Sequence, residues 1–356
     1  MSKKICLLTD RLSSGGAEKM VGNLSISLAK KNYDVTIVSM RDDIKYDYKG
    51  NLYNFGEVKA KNSRLKSLIK FKNYFETQNF DVILDHRVRM HWFKEFMFSN
   101  FVFKNNLVVY CVHHFKLSLY FPCSSIPFLS KRTLVKNRVF VSVSKEVRDQ
   151  VKKKLNFDSQ IIYNYPIFKN EEVKINNLGF DYIIAVGRLE KIKQFDVLIN
   201  SYSASKLSKA NIKLLIFGEG SQRYHLESLI KEKNLESSII LKGFHSNVNP
   251  FIKQAKALVM TSESEGFPMV LIEALSLKTP VVSFDCKSGP NEIIQNEVNG
   301  ILVKNQDALA MTNALNKLLD NEFYKSLKAH LENNNLLFTE EKILNQWVEL
   351  LDAHIA

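Results

Sequence analysis

Glu263-Ser264-Glu265-Gly266-Phe267-Pro268-Met269-Val270-Leu271-Ile272-Glu273-Ala274-Leu275 places one carboxylate ahead of a helix start and a second inside the helix, eight residues on. Gly266 lets the backbone turn tightly and come close to a ligand. Pro268 suits a first helical position, and residues 269–277 read as an apolar helix. The free amides and positive dipole end of such a start hold a diphosphate. With an anion there, Glu265 reaches what lies beyond the phosphates, and Glu273, two turns inward, accepts hydrogen bonds from a ribose diol. A surface Glu and a helix Glu that share no ligand have the same spacing, so the flanking sequence has to decide.

On either side of this stretch, short apolar, β-branched runs alternate with helix-periodic segments. In the first half the strand candidates are 5–10, 34–39, 81–86, 107–112 and 139–144. In the second they are 182–187, 213–218, 239–244, 257–262 and 280–285, with helices at about 194–206, 221–234, 247–255 and 268–278. This alternation predicts parallel sheets with crossover helices. A chain of 356 residues exceeds what one core usually supports. Two doubly wound domains follow, residues 1–165 and 166–339, with the boundary near Asn164-Tyr165-Pro166 and Lys169 to Asn177 as a polar linker. Two such domains place the carboxyl ends of their sheets around a shared cleft. Residues 340–354 read as an amphipathic helix.

The net charge of +13 is uneven: residues 1–165 hold 29 Lys+Arg against 14 Asp+Glu, about +15, and the remainder is about −2. No nucleic-acid module is present, so an anionic membrane surface or a phosphorylated acceptor fits this field better than nucleic acid. Two stretches interleave cations with aromatic and aliphatic residues, Arg64 to Phe75 and Phe115 to Pro122. Each reads either as an interfacial segment or as an ordinary amphipathic helix. No apolar run reaches a membrane-spanning length, and Met1-Ser2-Lys3-Lys4 leads into a strand without a signal-peptide pattern. Cys6, Cys111, Cys123 and Cys286 are scattered without a Cys-x-x-Cys pair, three of them in strand-like or apolar surroundings, as expected of buried structural thiols in a reducing cytoplasm. His86, His91, His113 and His114 lack zinc-site spacing and no Asp-x-Asp occurs, so no essential metal is expected.

Four further segments lie at strand ends. In Val186-Gly187-Arg188-Leu189-Glu190-Lys191-Ile192-Lys193, two cations five apart either converge on a diphosphate or stand solvated. Phe217-Gly218-Glu219-Gly220-Ser221 permits a tight turn into a helix. Ser13-Ser14-Gly15-Gly16-Ala17-Glu18 lets backbone amides approach a phosphate or sugar, or forms an ordinary strand-to-helix turn. The run 107–112 delivers His113 and His114 to a strand end.

Glu, seven residues and Glu, with Gly-Phe-Pro after the first, together with Gly-Arg-Leu, the lysine five residues past the arginine and Gly-Gly-Ala-Glu, resembles the retaining glycosyltransferases of GT-B fold in glycosyltransferase family 4. The resemblance spans nearly the whole chain and is thin between about residues 40 and 106. It implies an α/β GT-B architecture, two doubly wound Rossmann-like domains facing a central cleft, with 340–356 packing back on the first domain. Arg188 and Lys193 are then expected to neutralise the donor diphosphate, Glu265 to position sugar hydroxyls and Glu273 to hold the ribose. Gly266, Phe267, Pro268, Val270 and Leu271 form the loop and helix start at the donor, and Gly218 flanks it. Phe244 is placed by the base, although core packing suits its ring equally. Gly15, Gly16 and His113 are expected beside the β-phosphate, acceptor and transferred sugar, with His114 as a neighbour. Ser288-Gly289-Pro290-Asn291-Glu292 reads as a fold marker. One departure is Gln194, which stands where glycine usually follows the lysine.

The resemblance implies a cytoplasmic enzyme peripherally associated with the inner face of the membrane. It would move a hexose or N-acetylhexosamine from a nucleotide-diphosphate sugar, UDP-linked by preference and GDP-mannose as competitor, to a saccharide or lipid-linked saccharide acceptor of lipopolysaccharide or capsule type. Two other classes share the architecture or the site: a sugar-nucleotide epimerase or hydrolase that needs no acceptor, and a non-catalytic saccharide-binding protein. A nicotinamide-dependent enzyme would need Gly-x-Gly-x-x-Gly after the first strand, which Thr9 to Gly16 lacks.

Overall fold

The computed structural model describes residues 2–13, 15–168, 178–333 and 337–355. The chain divides into Met1–Ile167 with Phe338–Ala356, and Phe168–Leu337. The expected linker, Lys169 to Asn177, and Ser14 of the first glycine turn lie outside the described residues.

The first unit holds seven strands: β1 (Lys4–Thr9), β2 (Asp34–Ser39), β3 (Asn51–Asn54), β4 (Val82–Asp85), β5 (Leu107–Val112), β6 (Arg138–Ser142) and β7 (Gln160–Ile161). Their order is β3-β2-β1-β4-β5-β6-β7, and every pairing is parallel. The second unit holds β8 (Tyr182–Val186), β9 (Lys213–Phe217), β10 (Ile239–Gly243), β11 (Ala257–Met260), β12 (Val281–Phe284) and β13 (Gly300–Val303), in the order β10-β9-β8-β11-β12-β13. In both sheets the winding reverses beside the first strand, between β1 and β4 and between β8 and β11. Ligands of open α/β sheets bind outside the carboxyl ends at such switch points.

β5 is buried along its whole length, as are β4, β11 and β12. Such continuous apolar runs belong to parallel strands covered on both faces. β3, β7 and β13 were absent from the expected strands. β3 has polar ends and no fully buried residue, and β7 is two residues long, so neither carries a readable pattern.

The helix Glu340–His354 belongs to the first unit. Ile343, Leu344, Trp347, Leu350 and Leu351 recur at helical spacing and are buried in the same core as Ile5, Leu7, Val21 and Leu24. Thr339 caps its first turn, and Glu340 accepts from Ser27 (2.8 Å) and Lys30 (3.0 Å).

The two cation-rich stretches separate. In the helix Arg64–Gln78, Phe71 and Phe75 are buried, while Leu65 and Ile69 are exposed beside the lysines. The second stretch is not an interfacial helix. It is a short 3-10 turn, Leu117–Leu119, and Leu117, Tyr120 and Phe121 are core residues. They face inward because Arg89 is buried there, its guanidinium 5.9 Å from the Tyr120 ring, 5.5 Å from Phe121 and 4.5 Å from Tyr110. A buried cation is offset by aromatic faces.

Arg89 belongs to a buried quartet with Asp85, Arg87 and Glu95, each at most 3% exposed. Arg87 Nη2 lies 2.8 Å from Asp85 and 2.9 Å from Glu95, and Arg89 Nη1 lies 3.4 Å from Asp85. Burial works to raise the Asp85 carboxyl, but the neighbouring Arg87 and Arg89 outweigh it and hold the group below its ordinary value.

Candidate functional site

The carboxyl ends of β8 and β11 carry the residues singled out by their spacing. Val186 leads to Gly187 and Arg188, then to a 3-10 turn, Lys191–Lys193. Across the switch point, the chain after β11 runs Thr261 to Pro268 into the helix Met269–Ser276. The structure brings Lys193 and Glu265 together, 72 residues apart in sequence, with Nζ 2.5 Å from Oε1. Both are accessible, at 22% and 13% side-chain exposure. The lysine stem lies over Gly187, where an added Cβ would sit 3.7 Å from Lys193 Cδ and Cε. Arg188 is exposed and, among the described residues, has no carboxylate within ion-pair distance. One cation is thus held by a carboxylate and a second is open to an anion.

Glycines at the next strand end are needed for close approach. Gly218 has φ +142, and a Cβ there would fall 1.8 Å from the Gly187 carbonyl. Gly187 N–H donates to Phe217 O (2.9 Å), Leu189 N–H to Glu219 O (2.9 Å) and Gln222 N–H to Leu189 O (2.8 Å). Glu190 adds bonds from the Ser221 amide (3.2 Å) and hydroxyl (2.7 Å), which lower its pKa. Glu190 carries no signal of its own in the sequence, yet it ties the two glycine loops together. Phe244, directly after β10, is 52% exposed and so is not a core residue.

The Glu265 loop is braced from behind. Glu265 N–H donates to Lys287 O (3.1 Å), and Ser288 Oγ donates to Gly266 O (2.7 Å). Gly289 has φ +103, and a Cβ on it would meet Pro268 Cδ at 2.6 Å. Ser288 and Gly289, read from sequence as a fold marker, therefore hold the loop that presents Glu265. Pro268 is the N-cap, in extended conformation with ψ 106, and not the first helical residue. Its ring closes against the Gly289 turn, so the helix begins at Met269. Phe267 and Leu271 are buried, Val270 is half-buried, and Glu273 is 4% exposed within the helix.

In the first unit, Gly15 is the N-cap of the helix Gly16–Lys30. The Glu18 carboxylate folds over it: a Cβ on Gly15 would lie 2.0 Å from Oε2. That carboxylate occupies the dipole end at which a phosphate was expected, and Arg11 lies 3.6 Å from its other oxygen. His113, after β5, turns its ring inward. Its Nε2 is 2.9 Å from His86 Nδ1, and its buried Nδ1 has no hydrogen-bond partner among the described residues. Burial, then the His86 and Arg89 charges, push the His113 pKa well down; burial likewise brings His86 down to about 4 despite Asp85. Both rings are neutral at ordinary pH. His114 Nδ1 accepts the Lys116 amide (3.0 Å), closing the turn.

Comparison with known proteins places the chain in a family. The family model described as "Glycosyl transferases group 1" matches residues 167–336, and that of "Glycosyltransferase Family 4" matches 14–165. The chain is 26% identical to the amylovoran biosynthesis glycosyltransferase AmsD of Erwinia amylovora, over 98% of this chain and 99% of that protein. It is 27% identical, with the same coverage, to the N-acetylgalactosamine-N,N'-diacetylbacillosaminyl-diphospho-undecaprenol 4-alpha-N-acetylgalactosaminyltransferase of Campylobacter jejuni. Among solved structures, Anabaena Alr3699/HepE in complex with UDP-glucose superposes with a TM-score of 0.74 at 16% identity, covering 98% of this chain and 99% of that one.

Proposed function

This chain is a glycosyltransferase of the group 1 family with the GT-B fold, and from that membership we propose that it moves a hexose or N-acetylhexosamine from a UDP-sugar, with retention, to a lipid-linked or polysaccharide acceptor. The observation that carries the proposal is the meeting of Lys193 and Glu265 at the second sheet's switch point, next to a helix start and an open Arg188.

In this reading the donor's diphosphate lies against Arg188, Lys193 and the amides after Gly266. The bond between sugar C1 and the β-phosphate oxygen breaks with its electron pair going to that oxygen. A new bond forms from C1 to the acceptor hydroxyl, and the hydroxyl proton passes to the departing phosphate on the same face. Charge develops on the leaving diphosphate, where preorganised cations act most strongly. Arg188 and Lys193 supply the positive charge that a divalent ion would otherwise bring, so we assign no resident metal. Glu265, once its lysine turns to phosphate, is free to accept from sugar hydroxyls, and Glu273 takes the ribose diol. The uridine nucleotide and the acceptor class are supported by the UDP-glucose in the Anabaena structure and the diphospho-undecaprenol in the Campylobacter enzyme's name.

The test is a thermal-shift panel of UDP, GDP and NAD with and without EDTA. UDP at a hundred times its dissociation constant stabilises by about 2.7 kcal/mol, expected to raise melting by roughly 5 to 10 °C in a unit of this size, unchanged by EDTA. A shift with GDP alone would move the donor to a GDP-sugar, and one with NAD alone would overturn the reading. UDP-sugar consumed at full rate without any acceptor would identify an epimerase or hydrolase.

No helix among the described residues is long and apolar enough to cross a membrane. We place the first unit against an anionic lipid surface instead, because the charge excess lies there and Leu65, Ile69, Met90, Phe93, Phe101, Ile126 and Phe128 are exposed in it. Each cation near such a surface contributes about 1 kcal/mol. The protein is expected to co-sediment with phosphatidylglycerol vesicles at low salt and not with phosphatidylcholine, and Leu65→Ser with Ile69→Ser should weaken the binding severalfold. Equal sedimentation with both lipids would refute this assignment.

A further inference from the structure

We propose that Thr261 is the positioning residue for Lys193: its hydroxyl holds the left-handed turn at Gln194 and so fixes the backbone from which the lysine reaches the diphosphate. The proposal rests on Lys193 being the diphosphate cation.

Gln194 has φ 49 and ψ 45. A side chain in this region crowds its own backbone, and glycine is the residue that adopts it freely. The glycine expected after the lysine is replaced here by a residue that needs outside support for the same turn. Thr261 provides it. The hydroxyl, on a residue 1% exposed, lies 3.1 Å from the Lys193 carbonyl and 2.9 Å from the Gln194 carbonyl, one donor shared by two successive acceptors. Two residues on, Glu263 N–H donates to Ile192 O at 2.9 Å. The carbonyls of 192, 193 and 194 are thus all tied to the segment leaving β11, the strand beside β8 across the switch point.

This clamp bears on Lys193 because the side chain has little slack. Its stem is laid over Gly187 and its amine already reaches Glu265. A backbone shift at 193 or 194 carries Nζ away from its place beside Glu265, where the stem passes Gly187. Gln194 also bonds Gln306 through its side chain (2.9 Å), but that contact is exposed and acts on the side chain, not on the strained peptide.

Thr261→Val removes the hydroxyl and keeps the branched shape, while Thr261→Ser keeps the hydroxyl. Gln194→Gly removes the need for support. UDP binding by calorimetry is expected to weaken about tenfold in Thr261→Val, the scale of one lost hydrogen bond. It should be unchanged within about twofold in Thr261→Ser and in Gln194→Gly, and should return to near the parent value when Thr261→Val and Gln194→Gly are combined, the non-additivity of two coupled sites. A purely structural role for Thr261 would not be rescued by a glycine 67 residues away. If the parent protein binds UDP and Thr261→Val binds it equally, or the combined variant stays as weak as Thr261→Val, this positioning role is wrong while the functional reading stands. If the parent protein binds no nucleoside diphosphate, both fail together.

Discussion

Glu265→Gln is expected to lower sugar transfer by roughly 10²- to 10³-fold, the loss that follows removal of one preorganised electrostatic partner of a transition state, while UDP binds more tightly. The second half of this expectation comes from the ion pair. Without ligand, Lys193 is held 2.5 Å from Glu265 in a partly buried setting, and a diphosphate has to compete with that carboxylate for the ammonium. A neutral amide of the same shape weakens the competition. A partly exposed pair of this kind contributes about 1 kcal/mol, or about fivefold in affinity. Lys193→Met should instead lose both transfer and UDP affinity, since the cation itself is gone. UDP release from the UDP-sugar, measured with a membrane fraction as acceptor, together with calorimetric UDP binding, separates the two variants. Glu265→Gln with full transfer would remove the carboxylate from the mechanism. Glu265→Gln with weaker UDP binding would show that the pair assists the diphosphate and does not compete with it.

The largest stability effect is expected at Arg87. Its guanidinium is 1% exposed and joins Asp85 and Glu95 at 2.8 and 2.9 Å. Breaking a buried pair by removing one partner costs about 3–5 kcal/mol, because an uncompensated charge remains in the interior. Arg87→Met should therefore lower the melting temperature by roughly 10 °C or more at the scale of this unit. Adding Glu95→Gln to Arg87→Met should recover part of the loss, since Arg89 then faces Asp85 alone and the quartet is neutral again. If Arg87→Met melts within about 2 °C of the parent, the quartet is not holding the first unit together.

Much of the architecture is written locally. Alternating β-branched runs and helix-spaced segments are properties of a few adjacent residues, so β1, β2, β4, β5, β6 and β8 to β12 are visible in the chain before any fold is known. Gly-Arg-Leu at a strand end and a carboxylate before Gly-Phe-Pro mark the proposed donor side in the same way, because a strand end and a helix start bring residues of close spacing together. β3 and β7 lacked such a signal, being short and polar at their ends.

What spacing along the chain leaves open is the choice of partner and the direction in which a side chain points. Phe115 to Pro122 has the composition of a lipid-facing segment, yet Tyr120 and Phe121 turn inward to cover Arg89. His113 stands at the expected strand end, but its ring is drawn to His86, 27 residues away, and is buried there. Thr261 looks like one more strand-end threonine until the chain closes 67 residues and its hydroxyl meets Gln194. Period and propensity act over a turn or a strand and are legible residue by residue. Burial, ion pairing and hydrogen bonding to distant carbonyls depend on which surfaces meet in space, and those meetings exist once the two sheets have been wound.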